Sequence, residues 1–344
     1  MRIGRVAARE RPMHDNENLF DAYLHQYDDA AWRRVLEDLA PSIHDVDRTA
    51  TRIWFAFFPL ALRDLLREPA DREWLVRKLQ ILGRWNLAEQ IDVSHRFLYG
   101  HRWWPGVKRA IVALAQSARP PKSLNLADLV RDLARDVASV AAVDPSLLTG
   151  MVAVALMTWQ QVGTEAFEAT PGTVSLEPAV RRRTPEAVLR ARARDDAQGM
   201  LGFLKGDRKT WTVTFDEQDR AGSFRLINSQ HLTTAAAADR RDYRTRDARC
   251  AEGPIPVECR SASCGTCWVG VLGGAEKLSP MEELERRRLR EFGYADTGDE
   301  RPIIRLACQA QAFGAVSIVI PPWNGVFGKY LENRKRQQAA EAKS

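Results

Sequence analysis

Residues 259–267 read Cys259-Arg260-Ser261-Ala262-Ser263-Cys264-Gly265-Thr266-Cys267, three thiols at the spacing C-x4-C-x2-C. Apart from Arg260, every residue between them is small. A loop of small residues folds closely around a metal group and lets backbone N–H groups approach the sulfurs. A fourth thiol, Cys308, closes the segment Arg305-Leu306-Ala307-Cys308-Gln309, with 40 residues between it and Cys267. The fifth cysteine, Cys250, lies upstream of the loop and reads as a spare thiol. An odd count, with every cysteine beyond residue 249, argues for a metal or redox site rather than a disulfide framework. The pair Cys264/Cys267 alone also suits zinc, but zinc asks for a second pair or a histidine pair, and this half holds only His231. A thioredoxin-type pair would sit in a βαβ setting, which is absent.

Working outward from the loop, β-branched and aromatic residues mark strands. Trp211–Phe215 and Ser223–Ile227 flank the turn Asp216–Gly222 and predict a hairpin beginning at Thr210. His231–Arg241 is Ala-rich and reads as a helix, and Trp268–Leu272 reads as a strand closed by Gly273-Gly274. Ser279 as N-cap and Pro280 at the first position predict a helix through Phe292. Pro302–Ala307 and Ala315–Ile320 complete the strands, so the C-terminal half is α+β.

The N-terminal half reads as helices throughout. Asn16–Ala40 carries an apolar stripe from Leu19 and Phe20 to Val35 and Leu39. A second helix, N-capped by Ser42, runs through Trp54 and Phe57 towards Leu66, with a kink expected at Pro59. Further helices are predicted over Arg72–Val93, Val107–Ser117, Leu124–Ala142 and Ser146–Phe167. Residues 169–209 read as a linker containing a helix capped by Thr184 and reaching about Leu204. The fold class is therefore multidomain α and α+β: an all-α helical domain over 1–168, the linker, an α+β domain over 210–322 and a basic tail over 323–344.

Charge is uneven. Residues 1–180 hold 22 Lys and Arg against 23 Asp and Glu, and the remainder holds 29 against 22. The excess sits in Arg181-Arg182-Arg183, Arg240–Arg249 and Arg286–Arg290, clusters that suit an acidic partner, an anionic membrane surface or nucleic acid, although an Arg-rich helix face is more often simply solvated. No zinc-finger spacing or RNA-binding aromatic motif accompanies them, so no nucleic acid is expected. The longest apolar stretches, Ile53–Leu62 and Met151–Met157, fall short of the ~20 residues a membrane span needs. No apolar stretch follows the Arg-rich Met1–Pro12, which predicts a cytoplasmic protein.

The C-x4-C-x2-C loop with a later fourth cysteine is the spacing of plant-type [2Fe–2S] sites. Residues 210–321 resemble the [2Fe–2S] ferredoxins of the plant and adrenodoxin types, which share a β-grasp fold. The resemblance rests on the Cys259–Cys267 loop, the segment Leu306-Ala307-Cys308-Gln309, the strand after the loop and the helix after Leu278-Ser279-Pro280. It implies that Cys259, Cys264, Cys267 and Cys308 ligate a [2Fe–2S] cluster that carries one electron at a time. The gap before Cys308 is closer to the adrenodoxin type, and the basic charge departs from the acidic character of such relatives.

The expectation is an electron carrier whose helical half docks a redox partner or fixes a homo-oligomer. Nothing places bond chemistry in the chain by itself, and no glycine-rich nucleotide motif is present. The first alternative is the iron–sulfur subunit of an oxidoreductase, with a second cofactor held by His44 with Asp47, His95 and His101. A redox or iron–sulfur sensor and a structural cluster are the others. Trp54, Trp74, Trp85, Trp103, Trp104 and Trp159 suit a packed aromatic core, yet the adjacent indoles of Trp103 and Trp104 cannot both face it. One of them is expected at the surface, for a partner.

Overall fold

The computed structural model describes residues 19–60, 87–117, 125–194, 209–291, 299–322 and 340. The expected helix over 16–40 is two helices, α1 (Leu19–Leu24) and α2 (Asp29–Leu39). Asp28 separates them: its side chain accepts the Ala31 N–H at 2.7 Å and starts a new helix where periodicity alone suggests continuity. α3 (Asp45–Phe57) begins at His44 rather than Ser42, with His44 Nδ1 accepting the Val46 N–H at 3.2 Å. It ends before Pro59 instead of kinking there.

Leu87–Glu89 forms a short 3-10 turn and residues 91–97 are turns, so the end of the helix expected over 72–93 is irregular. The rest of that helix lies outside the described residues, as do Trp74, Trp85 and all of the basic tail but residue 340. α4 (Trp104–Ala115), α5 (Leu126–Ala141) and α6 (Ser146–Val162) follow, with α5 capped by Asn125 through the Asp128 N–H. In α6 every residue from Leu147 to Gln160 is buried. A helix apolar on all sides belongs at the centre of a bundle, and α3, α4 and α5 all pack on it. Gln160 serves both neighbours there, accepting the Trp32 indole N–H at 2.6 Å and donating to the Tyr27 carbonyl at 2.7 Å.

Three short helices lead out of the bundle: α7 (Thr164–Ala169), α8 (Pro178–Arg181) and α9 (Pro185–Ala193). Thr184 caps α9 as expected, accepting the Ala187 N–H at 3.2 Å, but the helix stops at Ala193. Residues 195–208 lie outside the described set.

The C-terminal half comprises β1 (Thr210–Thr214), β2 (Ser223–Ile227), β3 (Gln230–His231), α10 (Leu232–Ala238), β4 (Trp268–Gly273), α11 (Glu283–Glu291), β5 (Ile304–Leu306), β6 (Gln311–Ala312) and β7 (Val316–Val319). The strand order β2-β1-β7-β4-β5 makes a mixed sheet: β1 pairs parallel to β7, and the other pairs are antiparallel. Two-residue strands β3 and β6 form a second small ladder, too short for sequence periodicity to show. Ser279 does not cap α11. Its hydroxyl accepts the Gln311 N–H at 3.2 Å and its N–H donates to the Gln311 carbonyl at 2.8 Å, so it ties two loops together instead.

One hydrophobic core runs through both halves. α3 and α9 pack against β4, and Gly270 faces Ile53 of α3. A Cβ there would lie 2.6 Å from Ile53 Cγ2, so only glycine lets the helix seat on the strand. Arg192 clamps the same junction. It is paired with Glu217 at 2.8 and 2.9 Å and donates to the Val46 carbonyl at 2.6 Å, while Ser317 donates to Glu217 at 2.7 Å. Among the described residues no helix is long and apolar enough to cross a membrane.

Candidate metal centre

The cysteine loop is wound by left-handed residues. Arg260, Ala262 and Gly265 have φ of 55°, 59° and 69°. Only the glycine adopts that region freely, and each of the other two costs roughly 1–2 kcal/mol. Such strain collects at functional sites, and alternating left-handed turns aim successive N–H groups into one concavity. The hydrogen bonds show where they point. Ser261 and Cys264 donate their N–H groups to Cys259 Sγ at 3.4 and 3.3 Å, and Thr266 donates its N–H to Cys264 Sγ at 3.4 Å. From across the sheet, Cys308 N–H donates to Cys267 Sγ at 3.4 Å.

Two side chains add donors: Thr266 Oγ1 to Cys264 Sγ at 3.1 Å and Gln309 Nε2 to Cys308 Sγ at 3.3 Å. The sequence pointed to small residues near the sulfurs but not to these two roles.

The four thiols form one group. Cys259 neighbours Cys264, Cys267 neighbours Cys308, and each pair feels a sulfur of the other. Burial opposes ionisation of Cys259, but hydrogen bonds from Ser263, Ser261 and Cys264 outweigh it and bring the thiol down to about 6. Cys308 falls to about 7, chiefly through its bond with Cys267 and despite burial. Cys267 is held well above the ordinary thiol value by the same bond and by burial. Cys267 and Cys308 are buried, whereas Cys259 and Cys264 are half-buried beside exposed Ser261 and Ser263. Cys250 stands apart: it donates to the Pro254 carbonyl at 3.2 Å, and burial pushes it up to about 12. It is an inert thiol by these measures.

This arrangement fits a two-iron cluster. Thiolates supply its ligands, and here four thiols are already supported by N–H donors of the kind that stabilise sulfur-borne negative charge.

Behind the centre, Cys308 is held by a buried ion pair. Arg305 and Glu285, each 1% exposed, meet at 2.9 Å through both carboxylate oxygens, and Glu285 also accepts the Leu306 N–H at 2.7 Å. Arg305 donates further to the Ser279 carbonyl at 2.8 Å. α11 is thereby bolted to the strand that leads to the fourth thiol.

The histidines of the helical half behave differently. His44 caps α3, and Asp47 is buried accepting the N–H groups of Tyr99 and Gly100 at 2.6 and 2.7 Å. His95 and His101 do meet, Nδ1 to Nδ1 at 2.9 Å, and His95 Nε2 bonds the Ile91 carbonyl at 3.0 Å. A carbonyl accepts only, so His95 carries its proton on Nε2 and receives the His101 Nδ1–H. Three of the four ring nitrogens are thus engaged within the protein. Burial holds His95 well below the ordinary value and takes His101 down to about 4. Trp104 is buried against His95 and Phe167, and Trp103 is half-buried beside Tyr99 and Arg102.

A mixed sheet with flanking helices and a four-cysteine centre defines a β-grasp iron–sulfur domain. Comparison with known families agrees: residues 228–312 match the 2Fe-2S iron-sulfur cluster binding domain, a stretch that contains the four cysteines of the centre and Cys250. This region is a ferredoxin-type domain that binds a [2Fe–2S] cluster. A ferredoxin from Bacillus thermotolerans is 37% identical over 57 residues, which cover 17% of this chain and 41% of that relative. No solved structure matches the chain.

Proposed function

We propose that the protein is a one-electron carrier in which Cys259, Cys264, Cys267 and Cys308 hold the cluster. The observation that carries this reading is the convergence of backbone and side-chain donors on these four sulfurs and on no other thiol. When bound, a [2Fe–2S] cluster supplies one-electron exchange between its oxidised and one-electron-reduced forms. The fixed donors stabilise the extra negative charge without rearrangement. Cys259 and Cys264 turn the more accessible edge of the centre outward, so a partner approaches on that side.

The helical half buttresses β4 through α3 and α9, and its half-buried Trp103 and Arg102 supply the kind of side chains that anchor a partner or a second copy. Much of the basic charge near the centre is already matched: Arg241 pairs with Asp239, Arg249 with Asp247 and Arg246 with Asp219. Exposed Arg240 and Arg244 remain to steer an acidic redox partner. Five thiols without a disulfide suit the reducing cytoplasm.

Anaerobic absorption and EPR spectra before and after dithionite, with iron, sulfide and haem quantified, test this reading. It expects two irons and two sulfides per chain, bleaching on reduction and loss of all three features in Cys267→Ser, with Cys250→Ala unchanged. Zinc without sulfide would overturn it, and a Soret band would move a second cofactor into the helical half. Association with a partner should slow as ionic strength rises, and a rate indifferent to salt would remove the steering role.

A further inference from the structure

Arg183, the last of the triple arginine, and the basic end of α9 have no part in the cluster chemistry, yet they line one cavity. A cavity of about 640 Å³ opens between α8, α9 and the β1–β2 hairpin. Its basic wall carries Arg183, Arg190 and Arg194, and Arg220 faces them from the hairpin turn. Arg190 and Arg194 are four residues apart, which sets them on one side of α9 and its end.

The carboxylates in this cavity are already committed. Glu217 is held by Arg192 and Ser317 at the floor. Asp219 accepts the Ala221 N–H at 2.8 Å and pairs with Arg246. Two exposed carboxylates remain at the rim, Glu177 at 4.0 Å from Arg220 and Glu186 beside Arg190, so the four rim guanidiniums still outnumber the negative charges left to them. Thr214 and Ser223 of the hairpin also line it. A void of this size, between two structural layers and with positive charge in excess, is a ligand site by shape and by field.

Guanidinium forks match phosphate oxygens in pairs, and several of them ask for more than one phosphate. We propose that this cavity binds a small molecule bearing two or more phosphate groups. It adjoins Gly273, whose Cβ would lie 2.6 Å from Arg192 Cβ, at the far end of β4 from Cys267. The intervening strand is roughly 20 Å long at its usual rise, so the ligand does not touch the cluster and the proposal stands apart from the electron-transfer reading.

Isothermal titration of the full-length, cluster-loaded protein with ATP and with inorganic tripolyphosphate, at constant ionic strength, is the test. Saturable binding of either supports the site. Tighter ATP assigns it to nucleotides, and tighter tripolyphosphate to inorganic polyphosphate. R190Q/R194Q should weaken binding by about tenfold or more per guanidinium, the usual loss for hydrogen bonds to a charged group, while the visible spectrum of the cluster is unchanged. Arg220→Gln, on the opposite wall and outside α9, repeats the test should the double variant fail to fold. Absence of saturable binding at millimolar ligand, or affinity unchanged in both variants, overturns the proposal.

Discussion

Gln309 Nε2 and Thr266 Oγ1 lie within hydrogen-bonding reach of Cys308 and Cys264 sulfur. Because reduction adds negative charge to the thiolate-bound centre, a donor on sulfur favours the reduced form. Gln309→Leu and Thr266→Val should each lower the reduction potential, by an amount on the order of tens of mV if part of one charged hydrogen bond is lost. Potentiometric titration reads the shift, and a potential unmoved in both variants would show that these donors do not tune the centre. The gathering of the four thiols was legible in the sequence, three from their spacing and Cys308 through the ferredoxin resemblance. These two donors were not, since nothing in a linear pattern says which hydroxyl or amide a left-handed loop will turn inward. The buried histidines make the second prediction at this scale. His101 titrates near 4 in the folded chain against an ordinary value of 6.5, so the unfolded chain binds the extra proton between those values. Stability is therefore unaffected above pH 6.5 and lost progressively as pH falls towards 4, by about 2 kcal/mol at pH 5. Asp47, raised to about 6 chiefly by burial, works oppositely: its cost above the ordinary carboxylate value fades as pH falls. Comparing urea midpoints of the wild type and His101→Asn at pH 7 and pH 5 cancels the Asp47 contribution. The wild type should lose more on acidification, and equal losses would refute the assignment.

At the scale of single elements, α11 and β5 depend on one buried pair. Glu285 satisfies both Arg305 and the Leu306 N–H, so Glu285→Ala strands a guanidinium and an N–H away from water. Breaking a buried pair from one side costs about 3–5 kcal/mol, and here the strand leading to Cys308 loses its anchor as well. Glu285→Ala should lower the free energy of unfolding by that amount, read as an earlier denaturant midpoint, and shorten the lifetime of the cluster colour in air. Unchanged retention of the cluster would confine the pair to stability alone. Element boundaries explain where the sequence was readable and where it was not. Thr184 capping α9 and the hairpin of β1 and β2 follow from local signals, and both are found. The break at Asp28, the start of α3 at His44 and the irregular stretch after Leu87 were hidden. In each a tertiary or local hydrogen bond overrides a continuous apolar period. Ser279 had the right residue type for a cap but found a partner in Gln311, 32 positions away.

For the whole molecule, the division into a helical half and a ferredoxin-type half is visible in composition, but the joint between them is not. Ile53 in α3 and Gly270 in β4 carry no mutual mark in the sequence, yet their contact runs the core from one half into the other. The Arg192 clamp adds a second tie, joining α9 and the Val46 carbonyl to the turn and strand that bear Glu217 and Ser317. A chain joined in this way should unfold as one cooperative unit. Fluorescence of Trp32, Trp54, Trp104 and Trp159, all buried in the helical half, should change at the same denaturant concentration as the cluster absorption. The joint itself can be weighed by a double-mutant cycle. Gly270→Ala inserts a methyl 2.6 Å from Ile53 Cγ2 and should cost about 1–3 kcal/mol as overpacking. Ile53→Ala should cost about 2–5 kcal/mol as a cavity. Together they should cost less than their sum, because the space vacated by Ile53 receives the new methyl. Strict additivity, with separate transitions for the tryptophans and the cluster, would mean that the two halves fold independently and that the helical half lends the cluster domain no support.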